Sequence, residues 1–466
     1  MRIRSIERWS LSGLIAALVL GAGGLAPVRG LPDVMVYMPA MMKRHLPGYE
    51  SPMGIAMFGG VSDATGLAAM KAAGSTWVMT DLNWSVVQPV EGGPYDWSSY
   101  DTSFSNAAAA GLSIYLLVDS NPAWVTSGGR QPIPADKLPA FQAFVQAAAQ
   151  RYNGLNGQPR INYGSFFGEP DNQAAWGNAS AAYADMLAGV APLVHAANPT
   201  AKVLIGGLAY DWFTDDEIVS RGPGPFVRGF LAGVLQRLAA TGALTSTLDA
   251  FAFHFYPISP ERWPTLREKT QELRGILTQY GVGNLPILVP EVSIWSVLPN
   301  QVEDQHAQAT VLIQNFARAL AVGVRQVFWF QVFDVPDNPN ITSDNTTRTQ
   351  GLFVEQNLSQ PKQSYTAYQV LARELDQWLY ASALNVSGAE GYVFNQLTAV
   401  KTVAWGTSTA GPTPLNFAQT CARMVSALGV ETTLRDGQAG DLGPAGDGQI
   451  RLQVNGGEPI YVGPCP

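Results

Sequence analysis

The sequence predicts an α/β protein: a (β/α)8 TIM barrel followed by a small C-terminal domain of β-sandwich type. Three observations carry this. Eight short apolar runs of β character recur between residues 53 and 330, amphipathic stretches of helical period separate them, and past residue 383 the pattern becomes alternating apolar and polar positions broken by Gly-rich turns. Strands separated by helices cannot be hairpin neighbours, so they pair in parallel through right-handed crossovers, and eight such units close into a barrel. A chain of 466 residues accommodates a barrel of roughly 250 residues or more and one further domain. The alternative is an open doubly wound sheet. Its dinucleotide-binding form wants a GxGxxG turn after the first strand, where this chain has Gly59-Gly60-Val61-Ser62-Asp63.

From the N-terminus, Met1-Arg2-Ile3-Arg4 and Arg8 precede an apolar run from Leu11 to Leu25, with small residues near Ala26 and Gly30. This is the layout of an export signal over residues 1–30. The apolar run is about 15 residues, short of the roughly 20 that cross a bilayer, so removal and a secreted or extracytoplasmic protein without stable membrane insertion are expected. Residues 31–50 carry Pro32, Pro39 and Pro47 without a period and read as a linker.

The barrel is expected over 51–382. Its strands are read at Gly54 to Phe58, Thr76 to Met79, Ser113 to Val118, Tyr163 to Phe167, Lys202 to Gly206, Ala250 to His254, Pro286 to Val289 and Gln326 to Phe330. Helices lie between them, as in Phe226, Phe230, Val234 and Leu238 at steps of four, or Leu138, Phe141, Val145, Ala148 and Tyr152 on one face. A last helix runs from about Gln363 to Leu379. The β domain is expected over 383–466, with strands at Thr398 to Trp405 and Gln449 to Val454 and one helical patch near Phe417 to Leu428.

The chain is 47% hydrophobic and 14% charged, so it has ample material for a core. A net charge of −8 with no basic block leaves nothing to meet a phosphate backbone, which argues against nucleic acid. Cys421 and Cys465 are the two cysteines, and in an exported protein they are expected as a disulfide clamping the C-terminal domain. Neither lies in a CxxC pair, and His45, His195, His254 and His306 are scattered, so no metal site and no cofactor are expected. Oligomeric state is not legible.

In a (β/α)8 barrel the reacting groups sit at the C-terminal ends of the strands. Glu169 ends the fourth in Phe166-Phe167-Gly168-Glu169-Pro170-Asp171-Asn172, and Glu291 ends the seventh in Leu288-Val289-Pro290-Glu291. Each alone could be a loop-start or helix-capping acid. Together, two carboxylates at converging strand ends can serve as the acid and the nucleophile of glycosidic cleavage, provided one stays protonated and the other ionised.

These residues carry a resemblance. Gly54 to about Leu379 resembles the clan A glycoside hydrolases, especially the family 39 β-xylosidase-like and family 5 cellulase-like barrels. It does so through Asn83-Trp84-Ser85-Val86-Val87-Gln88-Pro89, Gly93-Pro94-Tyr95-Asp96-Trp97, Asn121-Pro122-Ala123-Trp124, Glu169-Pro170-Asp171-Asn172, His254-Phe255-Tyr256-Pro257, Glu291 and Trp329. The resemblance implies a retaining hydrolase of β-glycosidic bonds in oligo- or polysaccharides, with a protonated Glu169 as acid/base and an ionised Glu291 as nucleophile. It also suggests His254 or Tyr256 against nucleophile or substrate and Trp329 as a platform at the end of strand eight. Trp84, Trp124 and Trp295 are further candidates for stacking on sugar faces, core packing being the alternative for each. Asp119 and Asp334 lie near strand ends with weaker claims. Three positions depart from the family pattern: Gly168 where it has Asn, Met79 where it has Arg, and Pro290 where it often has Thr. They leave open a barrel that binds carbohydrate without cleaving it.

Overall fold

The computed structural model describes residues 49–209, 226–257, 260–296, 303–335, 349–408 and 411–465. The expected export signal and nearly all of the linker lie outside them.

The eight strands are β1 (Met53–Ala56), β2 (Trp77–Asn83), β3 (Ser113–Asp119), β4 (Tyr163–Phe166), β5 (Lys202–Ile205), β6 (Phe251–Phe255), β7 (Ile287–Val292) and β8 (Val324–Trp329). They form one parallel sheet in the order β5-β4-β3-β2-β1-β8-β7-β6. Isolated parallel bridges Leu204↔Ala250 and Leu208↔Phe253 bring the two edges together, with the amide of His254 donating to the Leu208 carbonyl at 2.8 Å. A main helix follows each strand: Leu67–Ala73, Ser98–Ala109, Leu138–Arg151, Ser180–Ala197, Phe230–Ala240, Leu266–Gln279, Gln305–Ala321 and Gln363–Leu375. On Phe230–Ala240 the expected stripe Phe230, Val234 and Leu238 is buried, whereas Phe226 precedes the helix and bridges to Asn172.

The strands are apolar at nearly every position because both faces are covered. Alternate residues divide between two layers. Trp77, Met79, Tyr115, Leu117, Tyr163, Leu204, Leu288 and Phe328 fill the barrel, and their neighbours Val78, Ile114, Leu116, Val118, Val203, Val289 and Val327 pack under the helices. With the interior plugged by large side chains, the open end of the barrel is where polar groups can collect.

The C-terminal part holds β9 (Leu379–Ala383), β10 (Ala389–Gln396), β11 (Ala399–Gly406), β12 (Thr413–Phe417), β13 (Cys421–Ser426), β14 (Glu431–Arg435), β15 (Ile450–Val454) and β16 (Ile460–Gly463). An antiparallel six-stranded sheet, β14-β13-β16-β11-β10-β9, and the pair β12-β15 share a small core of Ala404, Leu415, Ala422, Leu434, Ile450, Leu452, Val454 and Val462. The large sheet's other face, through Tyr392, Phe394, Val403, Trp405 and Tyr461, joins the packing of the barrel helices.

Two expectations are corrected. The patch near Phe417 to Leu428 is strand β13: its Ala, Arg and Met favour helix in isolation, but pairing with β14 and β16 decides the backbone. The last barrel helix stops at Leu375, and Leu379–Ala383 already pairs with β10 as the first strand of the β domain. Cys421 and Cys465 form a disulfide, with Cα atoms 5.8 Å apart. No helix among the described residues is long and apolar enough to cross a membrane.

Candidate active site

Glu169, His254 and Glu291 reach the barrel mouth from β4, β6 and β7, and one ligating atom from each lies within 4.8 Å of the others. His254 and Glu291 are register partners on adjacent strands. Nδ1 of His254 stands 3.2 Å from Oε1 of Glu169 and 3.3 Å from Oε2 of Glu291, so one ring nitrogen faces both carboxylates. The other edge of the ring lies over Gly207, where a Cβ would stand 2.0 Å from Nε2. The Tyr256 hydroxyl donates to Oε2 of Glu291. Lys269, fully buried on the helix Leu266–Gln279, donates to the His254 carbonyl at 2.9 Å and fixes that strand end.

The turn that presents Glu169 is unusual. Phe167 and Glu169 both have left-handed backbone, with φ of 56° and 51°, flanking Gly168. For non-glycine residues this conformation is disfavoured and persists only where surroundings impose it. Here the amide of Phe167 donates to the Val118 carbonyl at 2.8 Å and that of Glu169 to the Gly207 carbonyl at 3.2 Å.

The protonation pattern of the resting site runs opposite to the expected assignment. Burial lifts the Glu169 carboxyl, but the hydrogen-bonded His254, with Arg130 and Lys269 nearby, brings it below its ordinary value. Burial lifts Glu291 above its ordinary value, and the negative charge of Glu169 adds to this against the pull of His254. Burial lowers His254, but the two glutamates outweigh it and raise the ring above its ordinary value. The three groups therefore share protons, with Glu169 the more readily ionised carboxyl at rest.

The expected aromatic residues divide. Trp329 is fully buried, and its indole donates to the Gln350 carbonyl at 3.0 Å. In β8 the barrel interior takes Phe328, so Trp329 points outward under the helices and offers no face to a ligand. Trp84 is also fully buried, stacked 5.7 Å from Phe144 in the helix layer. Both are core residues. Trp124 is half-buried, its ring 5.1 Å from Trp84 and its indole donating to the Gln88 carbonyl. Trp295 is half-buried, and its indole N–H has no acceptor among the described residues. Asp334 is tied to Lys362 at 2.6 Å and to the Gly351 amide, a buried pair bracing the loop after β8.

Sequence reasoning missed several features. Phe330, next after Trp329, packs its ring 5.6 Å from Tyr256 and 5.8 Å from Phe58, making an aromatic wall beside Glu291. Phe58 also lines a cavity of about 310 Å³ with Met57, Gln331, Phe333 and Asp334. Asp81 at the end of β2 accepts from Asn83. Arg130, from the loop after β3, pairs with buried Asp119 at 2.7 Å and lies against Gly168. The alternation of β8 could have pointed to Phe330, but nothing local signals Arg130. The Glu169, His254, Glu291 trio also has the separations of a divalent-cation site, which no sequence spacing revealed because three strands contribute.

A parallel eight-stranded barrel with carboxylates at the ends of strands four and seven defines a fold class, and solved structures place the chain within it. No family model matches the sequence, and no curated protein does. Its structural neighbours are family 39 and family 30 glycoside hydrolases of clan A. The fold is similar to a family 39 glycoside hydrolase from the gut symbiont Bacteroides cellulosilyticus WH2, with a TM-score of 0.63 and 20% identity over 88% of this chain and 80% of that one. It is also similar to a glucosidase from Croceicoccus marinus (TM-score 0.62, 14% identity, 89% and 96% of the chains). A monomeric beta-xylosidase from Caulobacter crescentus CB15 matches with a TM-score of 0.61 and 13% identity over 90% and 98%. At these identities the likeness establishes the architecture, and the chemistry rests on the site itself.

Proposed function

We propose that the chain is a retaining glycoside hydrolase that cleaves β-glycosidic bonds of oligo- or polysaccharides by double displacement. The observation that carries this is the approach of the Glu169 and Glu291 carboxylates to within 4.8 Å, since a gap of about 5 to 5.5 Å suits a covalent intermediate, whereas inversion needs roughly 6.5 to 9.5 Å for an intervening water. Glu291 attacks the anomeric carbon while Glu169 protonates the departing oxygen. Water, deprotonated by Glu169, then releases the sugar.

The resting protonation is compatible with these roles because Nδ1 of His254 faces both carboxylates: it can take the proton from Glu291 and give one to Glu169 when a sugar enters. The Tyr256 hydroxyl stabilises the Glu291 anion once formed. Phe58, Phe330 and Tyr256 offer the flat apolar surface a sugar face packs on, and half-buried Trp124 and Trp295 remain candidates for the same task. The substrate is carbohydrate, and the N-terminal pattern supports action outside the cytoplasm.

A second reading, a barrel that binds carbohydrate without cleaving it, is favoured by Gly168 and Met79, which remove an amide and a guanidinium that the resemblance leads one to expect. Hydrolysis of a panel of aryl β-glycosides and soluble polysaccharides, run beside Glu169→Gln and Glu291→Gln, decides between the two. The glycosidase reading requires cleavage that falls at least a hundredfold in each variant. Sugar binding with no cleavage by the unaltered protein supports the second reading.

A further inference from the structure

Arg130 is the counter-charge of the buried Asp119, but only part of its guanidinium is used by that pair, and its position is built. The loop that carries it leaves β3 at Ser120, turns at Gly128 and Gly129, both with left-handed backbone, and is closed on either side of Arg130 by one residue. That residue is the buried Asn121, whose amide donates to the Gly129 carbonyl and whose Nδ2 donates to the Gln131 carbonyl, both at 2.7 Å. The guanidinium is held at Nε by Asp119, whose side chain is 4% exposed, and Nη1 lies 3.4 Å from the Gly168 carbonyl. The Arg130 side chain is 46% exposed, so part of the guanidinium stays open to solvent. A Cβ on Gly168 would meet Nη1 at 3.5 Å and Cζ at 3.6 Å, so a longer side chain at 168 would run into the guanidinium. The planar fork thus occupies the volume beside Glu169 that Gly168 leaves empty.

We propose that Arg130 is the substrate-positioning residue on the acid/base side of the site, donating from its open edge to an oxygen of the sugar ring bound between Glu169 and Glu291. This rests on the glycosidase reading and names the group through which that site compensates for the bare position 168. A hydroxyl fits the donor: Asp119 already supplies the guanidinium with an anionic partner at Nε, so the remaining N–H groups can bond a neutral oxygen. The same cation draws both Glu169 and Glu291 toward their ionised forms, so it acts on the pair as well as on the ligand.

The test pairs variants with substrates that each lack one ring hydroxyl. On the parent aryl glycoside, Arg130→Gln and Arg130→Lys are expected to lower kcat/KM by roughly a hundredfold or more and about tenfold respectively. On the one deoxy analogue that lacks the contacted hydroxyl, unaltered protein should fall to the level of Arg130→Gln, and the substitution should add no further loss. An equal loss on every analogue would mean a purely structural role and would overturn the proposal. Arg130→Gln/Asp119→Asn keeps the pair neutral and guards against an effect of leaving Asp119 buried alone. An arm independent of turnover is NMR titration of the Glu169 and Glu291 carboxyls, which should move upward in Arg130→Gln. Unchanged titration would count against Arg130 even if the protein cleaves nothing, whereas a shift without any hydrolysis would set aside the glycosidase reading alone and keep Arg130 in the site.

Discussion

At Gly207 a methyl group has nowhere to go except into the imidazole of His254. The ring is 2% exposed and is the only group in contact with both carboxylates among the described residues, so moving it disturbs the whole site. Gly207→Ala should cost about 1 to 3 kcal/mol of stability by overpacking and lower kcat at least tenfold with little change in KM; thermal unfolding and steady-state kinetics measure the two. The candidate site residues differed in how far the sequence disclosed their positions. Glu169 and Glu291 were legible because an acid following a long apolar run is conspicuous, and a strand end gives it a destination. Trp329 misled by one position: the strand end was right, but which face it serves depends on the alternation set by Phe328 inside the barrel. The proton balance of the pair was out of reach, because it depends on how three strands bring His254 between two carboxyls.

At the scale of elements, all eight barrel strands were legible because each is short, apolar and followed by a helix, and local pattern and tertiary demand agree there. Agreement failed in the C-terminal domain. Strand β13 has helix-favouring residues, and only the strands on either side of it hold it extended. One end of that strand is fixed covalently by Cys421, bonded to Cys465 across a separation of 44 positions. Closing a loop of this length constrains the unfolded chain by about 4 kcal/mol in the chain-entropy model. Cys421→Ser with Cys465→Ser should therefore lower stability by about 2 to 4 kcal/mol in denaturant unfolding while the barrel site keeps its activity. A loss of activity at temperatures where the double variant remains folded would contradict this.

For the whole molecule, the barrel and the β domain meet around Glu374, whose side chain is 2% exposed on the last barrel helix. It accepts from Lys401 at 2.7 Å and from both terminal nitrogens of Arg423 at 2.9 and 3.0 Å, both partners lying in the large sheet. Burial raises the carboxyl, but the Arg423 and Lys401 interactions outweigh it and hold its pKa at about 2. A carboxyl depressed on folding contributes stability that is complete above its ordinary value of 4.5 and is lost as pH falls toward 2. After allowance for solvent screening the contribution is about 2 kcal/mol. Glu374→Gln should remove much of the acid sensitivity between pH 4.5 and 2 and destabilise the protein at neutral pH, where it removes the carboxylate charge that Lys401 and Arg423 share; unfolding midpoints against pH would show both.

The closure of the barrel bears on how the spacing of the Glu169 and Glu291 carboxylates is held. Glu169 follows β4 and Glu291 lies on β7, so two arcs connect them. The short arc crosses from β5 to β6, where scattered bridges replace a continuous ladder. The long arc runs through β3, β2, β1 and β8 with paired residues at every step. The gap between the two carboxylates is therefore gauged by the far wall, like the mouth of a C-clamp whose opening is set by its frame. Residues such as Gly54, where a Cβ would stand 2.4 Å from the ring of Phe328, are part of that frame although they touch neither acid.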